Sequence, residues 1–264
     1  MPAPFLTIII PITLRVSYLL PLTLESLIVQ QGTAPFEVII IDGSKGKVPL
    51  SHLPLQNIKV LQGKGNIFSM LNQACSVAKG QFIHFISPGE FYTSKKALSF
   101  MMKIIHAYDF PDLLYTTRVV RHQFGQPTID TDPLWINDLK KGKIPTSLLS
   151  FWFRKETLLI LGGFNEKYEI QGGYDMLCRY FRAPTLRKAF VRRILTDYEY
   201  RKQSTQWIIE QHRETFWVSF VHFGPTHHLL SWFVQNCLRL FRYLWKIIRE
   251  SFWKRHTICK RLSP

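Results

Sequence analysis

Along the first 120 residues, short apolar runs alternate with longer segments in which apolar side chains recur every three or four positions. The runs are residues 5–10, 36–41, 58–61, 82–86 and 113–120, rich in Ile, Val and Phe. Several are apolar at every position rather than at alternate ones, the pattern of a strand buried on both faces of a parallel sheet. Between them, residues 18–31, 67–79 and 94–107 carry the spacing of three- to four-turn helices. Pro21 fits the first turn of the first helix, and Gly32 and Gly80 fit helix stops. Strand and helix in alternation predict an α/β fold with a mostly parallel sheet, flanking helices and right-handed crossovers. No internal repeat is visible.

In an open sheet of this kind, ligands bind beyond the carboxyl ends of the strands. Two acids fall there. Asp42 follows Val38-Ile39-Ile40-Ile41, and Glu90 follows Phe85-Ile86-Ser87-Pro88-Gly89. A turn- or helix-capping role is the competing explanation for Asp42.

Composition narrows the picture. With 264 residues and 46% apolar side chains, the chain is built to fold, not to stay disordered. Four scattered cysteines (Cys75, Cys178, Cys237 and Cys259) form no Cys-x-x-Cys, so neither a zinc knuckle nor a disulfide framework is expected. The apolar run at the N-terminus has no basic segment before it and is cut by Pro11, so it reads as a strand and not as a signal peptide. The histidines are scattered apart from His222, His227 and His228, which read as surface or interfacial residues.

The formal charge of +16 is unevenly distributed. Residues 226–264 hold eight cations (Arg239, Arg242, Lys246, Arg249, Lys254, Arg255, Lys260 and Arg261) against one acid, Glu250, interleaved with Trp232, Phe241, Trp245, Phe252 and Trp253. At about 100° per residue, Arg239, Arg242, Lys246 and Arg249 form a narrow basic stripe on an otherwise apolar helix. Such a helix suits a bilayer interface, with rings at the headgroup boundary and cations on lipid phosphates. The expected membrane contacts are Trp232, Arg239, Arg242, Trp245, Lys246, Arg249 and Trp253. The competing readings are a packed core helix, a spanning helix, which two arginines within 17 residues oppose, and nucleic-acid binding. No nucleic-acid module is recognisable, so nucleic acid is not an expected partner.

Several pieces resemble family 2 glycosyltransferases of the GT-A fold. They are Ile8-Ile9-Ile10-Pro11, Thr23-Leu24-Glu25-Ser26-Leu27 with Gln30, Glu37-Val38-Ile39-Ile40-Ile41-Asp42-Gly43-Ser44, Asn72 through Ala78-Lys79-Gly80-Gln81-Phe82-Ile83, Leu161-Gly162-Gly163-Phe164-Asn165-Glu166 and Tyr174-Asp175-Met176-Leu177-Cys178-Arg179. Together they span about residues 5–205. The resemblance implies a GT-A-like domain over 1–205, followed by the basic aromatic helical region 206–264. It implies transfer of a sugar from a nucleotide-diphosphate donor, with inversion, to a glycan or lipid-linked acceptor, as in polysaccharide or lipopolysaccharide assembly. A cytoplasmic protein, peripheral on the inner face of the cell membrane, fits that chemistry.

Carried over by position, Pro11 borders a uracil pocket and Asp42 accepts from the nucleoside. Lys64, Asn72 and Arg201 face donor phosphates or sugar. Glu90 holds a divalent cation (Mg²⁺ or Mn²⁺), which bridges enzyme and diphosphate. The acceptor hydroxyl needs a general base. Here the pattern departs: Gly173 stands where that base is expected, and Ser69 and a lone Glu90 replace further acids. Asp175 and Glu169 are the remaining candidates for the base. The alternative is a catalytically inactive relative that acts as a binding or scaffold protein.

Overall fold

The computed structural model describes residues 4–13, 17–47, 58–122, 126–130, 132–142, 148–200, 204–225 and 245. The expected contacts Arg201, Trp232, Arg239, Arg242, Lys246, Arg249 and Trp253 lie outside the described residues. Trp245 is described, helical and exposed.

The predicted alternation is present. β1 (Leu6–Ile12), α1 (Leu20–Ile28), β2 (Phe36–Asp42), β3 (Ile58–Gln62), α2 (Ile67–Val77), β4 (Phe82–Phe85), β5 (Phe91–Tyr92), α3 (Ala97–Ala107) and β6 (Leu113–His122) match the expected strands and helices within a few residues, except for the short β5, which the runs did not indicate. Then come β7 (Thr128–Asp130), α4 (Ile136–Lys140), β8 (Phe151–Arg154), α5 (Lys155–Ile160), α6 (Gly172–Arg182), β9 (Lys188–Tyr200) and α7 (Thr205–Phe223). One nine-stranded sheet runs β3-β2-β1-β4-β8-β6-β9-β5, with β7 on β6. The pairs β1–β2, β1–β4, β2–β3 and β6–β9 are parallel, whereas β8 is antiparallel to both of its neighbours.

The register explains the unbroken apolar runs. Ile8 pairs with Val38 and Ile10 with Ile40, and these face α1 and α3 with Phe82 and Trp152. Ile9 pairs with Ile39 and Pro11 with Ile41, and Ile9, Ile39, Ile41, Ile83 and Phe85 face α2 and α6. Along β1, β4 and the second half of β2 both faces of the sheet are dry, so both side-chain parities must be apolar, whereas β3 at the edge is exposed or half-buried.

Gly80 serves a different purpose from a helix stop. A Cβ there would lie 2.4 Å from the backbone nitrogen of Thr7, so glycine is required where the α2–β4 turn presses onto β1. Pro21 does lie in the first turn of α1.

α7 packs on the same body. Its Val218 is fully buried in the core beneath α6, and Thr215 and Ser219 are buried beside it. Among the described residues no helix is long and apolar enough to cross a membrane.

Candidate active site

A cleft of about 360 Å³ opens on the α2–α6 side, beyond the ends of β1 and β4. The strand ends contribute Pro11, Phe85, Ser87 and Glu90. Ile67, Phe68 and Leu71 come from α2, and Gly173, Tyr174 and Leu177 from α6. Leu148 and Leu149, the loop Glu169-Ile170-Gln171 and Trp207 of α7 complete the lining. The cleft thus presents apolar and aromatic surface with two carboxylates.

The first carboxylate belongs to Glu90, which is 6% exposed. It sits in a tight turn: Glu90 N–H donates to the Ser87 carbonyl at 2.9 Å, and Ser87 N–H donates back to Glu90 Oε2 at 2.6 Å. Thr23 of α1 holds this turn from below. Its hydroxyl donates to the Glu90 carbonyl at 2.7 Å and accepts from Gly89 N–H at 2.9 Å.

The second carboxylate is that of Glu169, exposed on the loop before α6. Its loop is fastened from two sides. The Asn66 amide donates to the carbonyls of Glu166 (2.8 Å) and Tyr168 (3.2 Å) and reaches Glu169 Oε1 at 3.4 Å. Asn66 also caps α2, its Oδ1 accepting from Phe68 and Ser69 N–H. From the other side Glu214 of α7, 5% exposed, accepts from three consecutive amides. Glu169 N–H reaches its Oε1 at 2.7 Å, while Ile170 and Gln171 N–H reach its Oε2 at 2.9 and 2.8 Å. Sequence reading missed Glu214. The available signal was the spacing Glu214, Thr215, Val218, Ser219, which puts small and polar residues on one helical face.

Gly173 lines the cleft where a base is expected. A Cβ there would sit 3.2 Å from Leu148 Cδ2, closer than ordinary contact, so Leu148 fills the space that a larger side chain needs.

The other sequence candidates are placed as follows. Asp175 is 4% exposed and is not part of the lining. Its Oδ2 accepts from Arg179 Nη2 and Nε at 2.6 and 3.0 Å, and its Oδ1 accepts from His222 Nε2 at 2.8 Å. These bonds occupy both oxygens and tie α6 to α7. Asp42 caps its own turn, with Oδ1 accepting from Ser44 N–H at 2.7 Å and Oδ2 from Gly46 N–H at 3.3 Å, as the turn-cap alternative anticipated. The Asn72 amide clasps the Gly163–Glu166 segment, donating to the Phe164 carbonyl (2.9 Å) and Glu166 Oε1 (2.8 Å) and accepting from Phe164 N–H (2.8 Å). The Lys64 backbone is bound by Gln73, and its side chain is exposed. Pro11 does line the cleft.

Behind the cleft, His84 of β4 is fully buried and stacked on Trp152 at 3.9 Å. Its Nε2–H donates to the Leu149 carbonyl and its Nδ1 accepts from Tyr92 O–H, both at 2.6 Å. Burial penalises the imidazolium and pulls its pKa down to about 3. Burial also raises the thiols of Cys75 and Cys178, keeping both protonated and inert.

Among the described residues no three His, Cys, Asp or Glu side chains converge into a cation cage. At the strand ends the cleft carries one carboxylate, that of Glu90.

No family model matches the chain. In sequence it is similar to a PGL/p-HBAD biosynthesis glycosyltransferase of Mycobacterium bovis (strain BCG / Pasteur 1173P2), 24% identical over 208 residues, 75% of this chain and 78% of that protein. The same figures hold for the protein so named in Mycobacterium tuberculosis (strain ATCC 25618 / H37Rv). In structure it is similar to S. aureus TarS 1–349 in complex with UDP-GlcNAc, with a TM-score of 0.61 and 17% identity, covering 85% of this chain and 69% of that one. With another structure of TarS 1–349 it shares 16% identity and the same TM-score, and it spans 66% of that chain. It is also similar to the mannosyltransferase PcManGT from Pyrobaculum calidifontis in complex with GDP-Man and Mn²⁺, with a TM-score of 0.55 and 14% identity, covering 98% of this chain and 84% of that one. The chain has the mixed α/β, GT-A-like fold of these glycosyltransferases and resembles glycosyltransferases in sequence as well.

Proposed function

We propose that this protein transfers a sugar from a nucleotide-diphosphate donor to a hydroxyl of a glycan or lipid-linked acceptor, with inversion. The observation that carries the reading is the pair of carboxylates in one aromatic-lined cleft at the strand ends, in a fold that its structural neighbours use for UDP-GlcNAc and GDP-Man. Glu90 would hold a divalent cation together with the donor's own phosphates, and that cation would supply charge neutralisation for the leaving diphosphate. The apolar rings of Phe68, Tyr174 and Trp207 suit the faces of a base or sugar.

Glu169 takes the acceptor proton. Among the described residues it is the one carboxylate of the lining besides Glu90, and it is exposed on the loop that borders the cleft, where an acceptor hydroxyl can reach it. Inversion follows from a single displacement, in which one base deprotonates the hydroxyl as it attacks the anomeric carbon and the nucleoside diphosphate leaves. Gly173, backed by Leu148, favours a second reading: a protein that binds donor or partner without turnover.

The reading extends to a membrane-bound acceptor. Support comes from Trp217, Phe220 and Val221, exposed on α7 just ahead of the basic aromatic stretch 226–264. Sedimentation of the full chain with vesicles containing anionic lipid, but not with neutral ones, is the expected outcome.

Calorimetric titration with UDP- and GDP-sugars in Mn²⁺ tests the donor site. Saturable binding of at least one donor is expected, followed by release of its nucleoside diphosphate in the presence of acceptor. Binding without release favours the second reading, and the absence of any donor binding sinks the proposed transfer and leaves only the partner-binding form of the second reading.

A further inference from the structure

We infer that Glu214 is a positioning residue for the reaction proposed above, setting the place of Glu169 in the cleft; the inference rests on that reading. The loop 166–171 leaves the body between α5 and α6 and has no strand partner, so its amides and carbonyls need partners from elsewhere. Five of them are taken by two side chains, while Asn165 accepts from the amides of Lys167 and Tyr168 and the Gln171 carbonyl accepts from Asp175 N–H. Asn66 serves the carbonyls of Glu166 and Tyr168, and Glu214 serves the amides of Glu169, Ile170 and Gln171.

A carboxylate is suited to the second task. It offers acceptor lone pairs only, so three converging N–H groups meet no competing donor, and bonds of this charge-assisted kind are about twice as strong as neutral ones. An amide in its place keeps one oxygen and turns an N–H₂ against the backbone donors. Burial at 5% exposure withholds water as a substitute. The amide of Glu169 itself is one of the three, so the residue that carries the proposed base is fixed at its own backbone. The same three bonds also lie at the start of α6, where negative charge is favoured by the helix dipole.

Because Glu214 does not line the cleft, its loss acts through the loop residues Glu169, Ile170 and Gln171 that it holds, and leaves the strand-end surface of Pro11, Phe85 and Glu90 in place. The consequence is a split in kinetics. Glu214→Gln lowers kcat by roughly 10- to 100-fold, keeps the donor KM within about twofold, and displaces the acidic limb of the pH–rate profile. Glu214→Asp recovers part of kcat. Val218→Ala is the control for α7 docking: it removes methyl groups from the core beneath α6, lowers Tm and leaves kcat unchanged.

The experiment is steady-state kinetics of the full-length chain and these three variants across pH, with Tm and amide exchange over 166–172. Faster exchange there in Glu214→Gln, with the kinetic split, supports the role. A Glu214→Gln enzyme with wild-type kcat and an unchanged pH profile overturns it while the function stands. A wild-type protein that transfers from no donor instead removes the proposed function, and the exchange rates still decide whether Glu214 fixes the loop: unchanged exchange in Glu214→Gln overturns that as well.

Discussion

On the sheet side of the cleft, Pro11, Phe85, Ser87 and Glu90 lie at strand ends whose backbones are paired through β1 and β4 or closed in a four-residue turn. On the helix side, Glu169, Ile170 and Gln171 lie in a loop held by side chains from α2 and α7, and Phe164 and Asn72 anchor the segment leading into it. The first wall is a product of local sequence: an apolar strand, then a turn. The second is assembled from residues about 45 to 100 positions apart. A wall of the first kind keeps its shape when one side chain is lost, whereas one of the second kind depends on single contacts.

The largest effect expected from this contrast is on stability. Phe164 is buried, stacks on Phe68 (5.7 Å) and meets Phe85 edge-on (5.3 Å). Phe164→Ala should cost about 3–5 kcal/mol in urea unfolding. A cost under about 1 kcal/mol would show that the helix-side wall does not depend on this anchor.

Next comes Glu90→Gln. It keeps the shape of the turn and removes the charge, so transfer should fall about 100-fold or more, roughly 2.7 kcal/mol of barrier, while Tm changes little. Chelation of Mn²⁺ in the wild type should give a similar loss. Wild-type rates in both experiments would remove Glu90 from the reaction.

A smaller effect concerns pH. His84 has its pKa lowered to about 3 in the fold, against 6.5 for the free side chain. The unfolded chain therefore binds more protons between these values. The contribution of His84 is fully present above pH 6.5 and is lost as pH falls toward 3, by at most about 1.4 kcal/mol per pH unit. Replacing it with Phe removes this slope from urea-unfolding measurements between pH 6.5 and 5, whatever the substitution costs at neutral pH. An unchanged slope would mean that the imidazole is not kept neutral by burial.

The same contrast explains what the sequence revealed. Unbroken runs such as Ile8-Ile9-Ile10 and Ile39-Ile40-Ile41 announced strands covered on both faces, because periodicity is a local property. Glu90 was legible for the same reason, as an acid just past an apolar strand. β8 was not foreseen: its four residues slot antiparallel between β4 and β6, a pairing that only tertiary context specifies. Asp175 looked like a candidate base until its partners were known, and Arg179 and His222 come from one turn away and from another helix. Asn72 likewise belongs to a motif whose physical work is to clasp the Phe164 segment. Glu214 had no motif, since its task depends on a loop more than 40 residues upstream.

The central claim is that Glu169 is the base in a donor-binding cleft. The direct measurement is donor affinity and transfer rate for Glu169→Gln, made side by side with the wild type in Mn²⁺. The account predicts donor binding within about twofold of wild type and transfer reduced by about 10²–10⁴-fold. Transfer at the wild-type rate in this variant would contradict it.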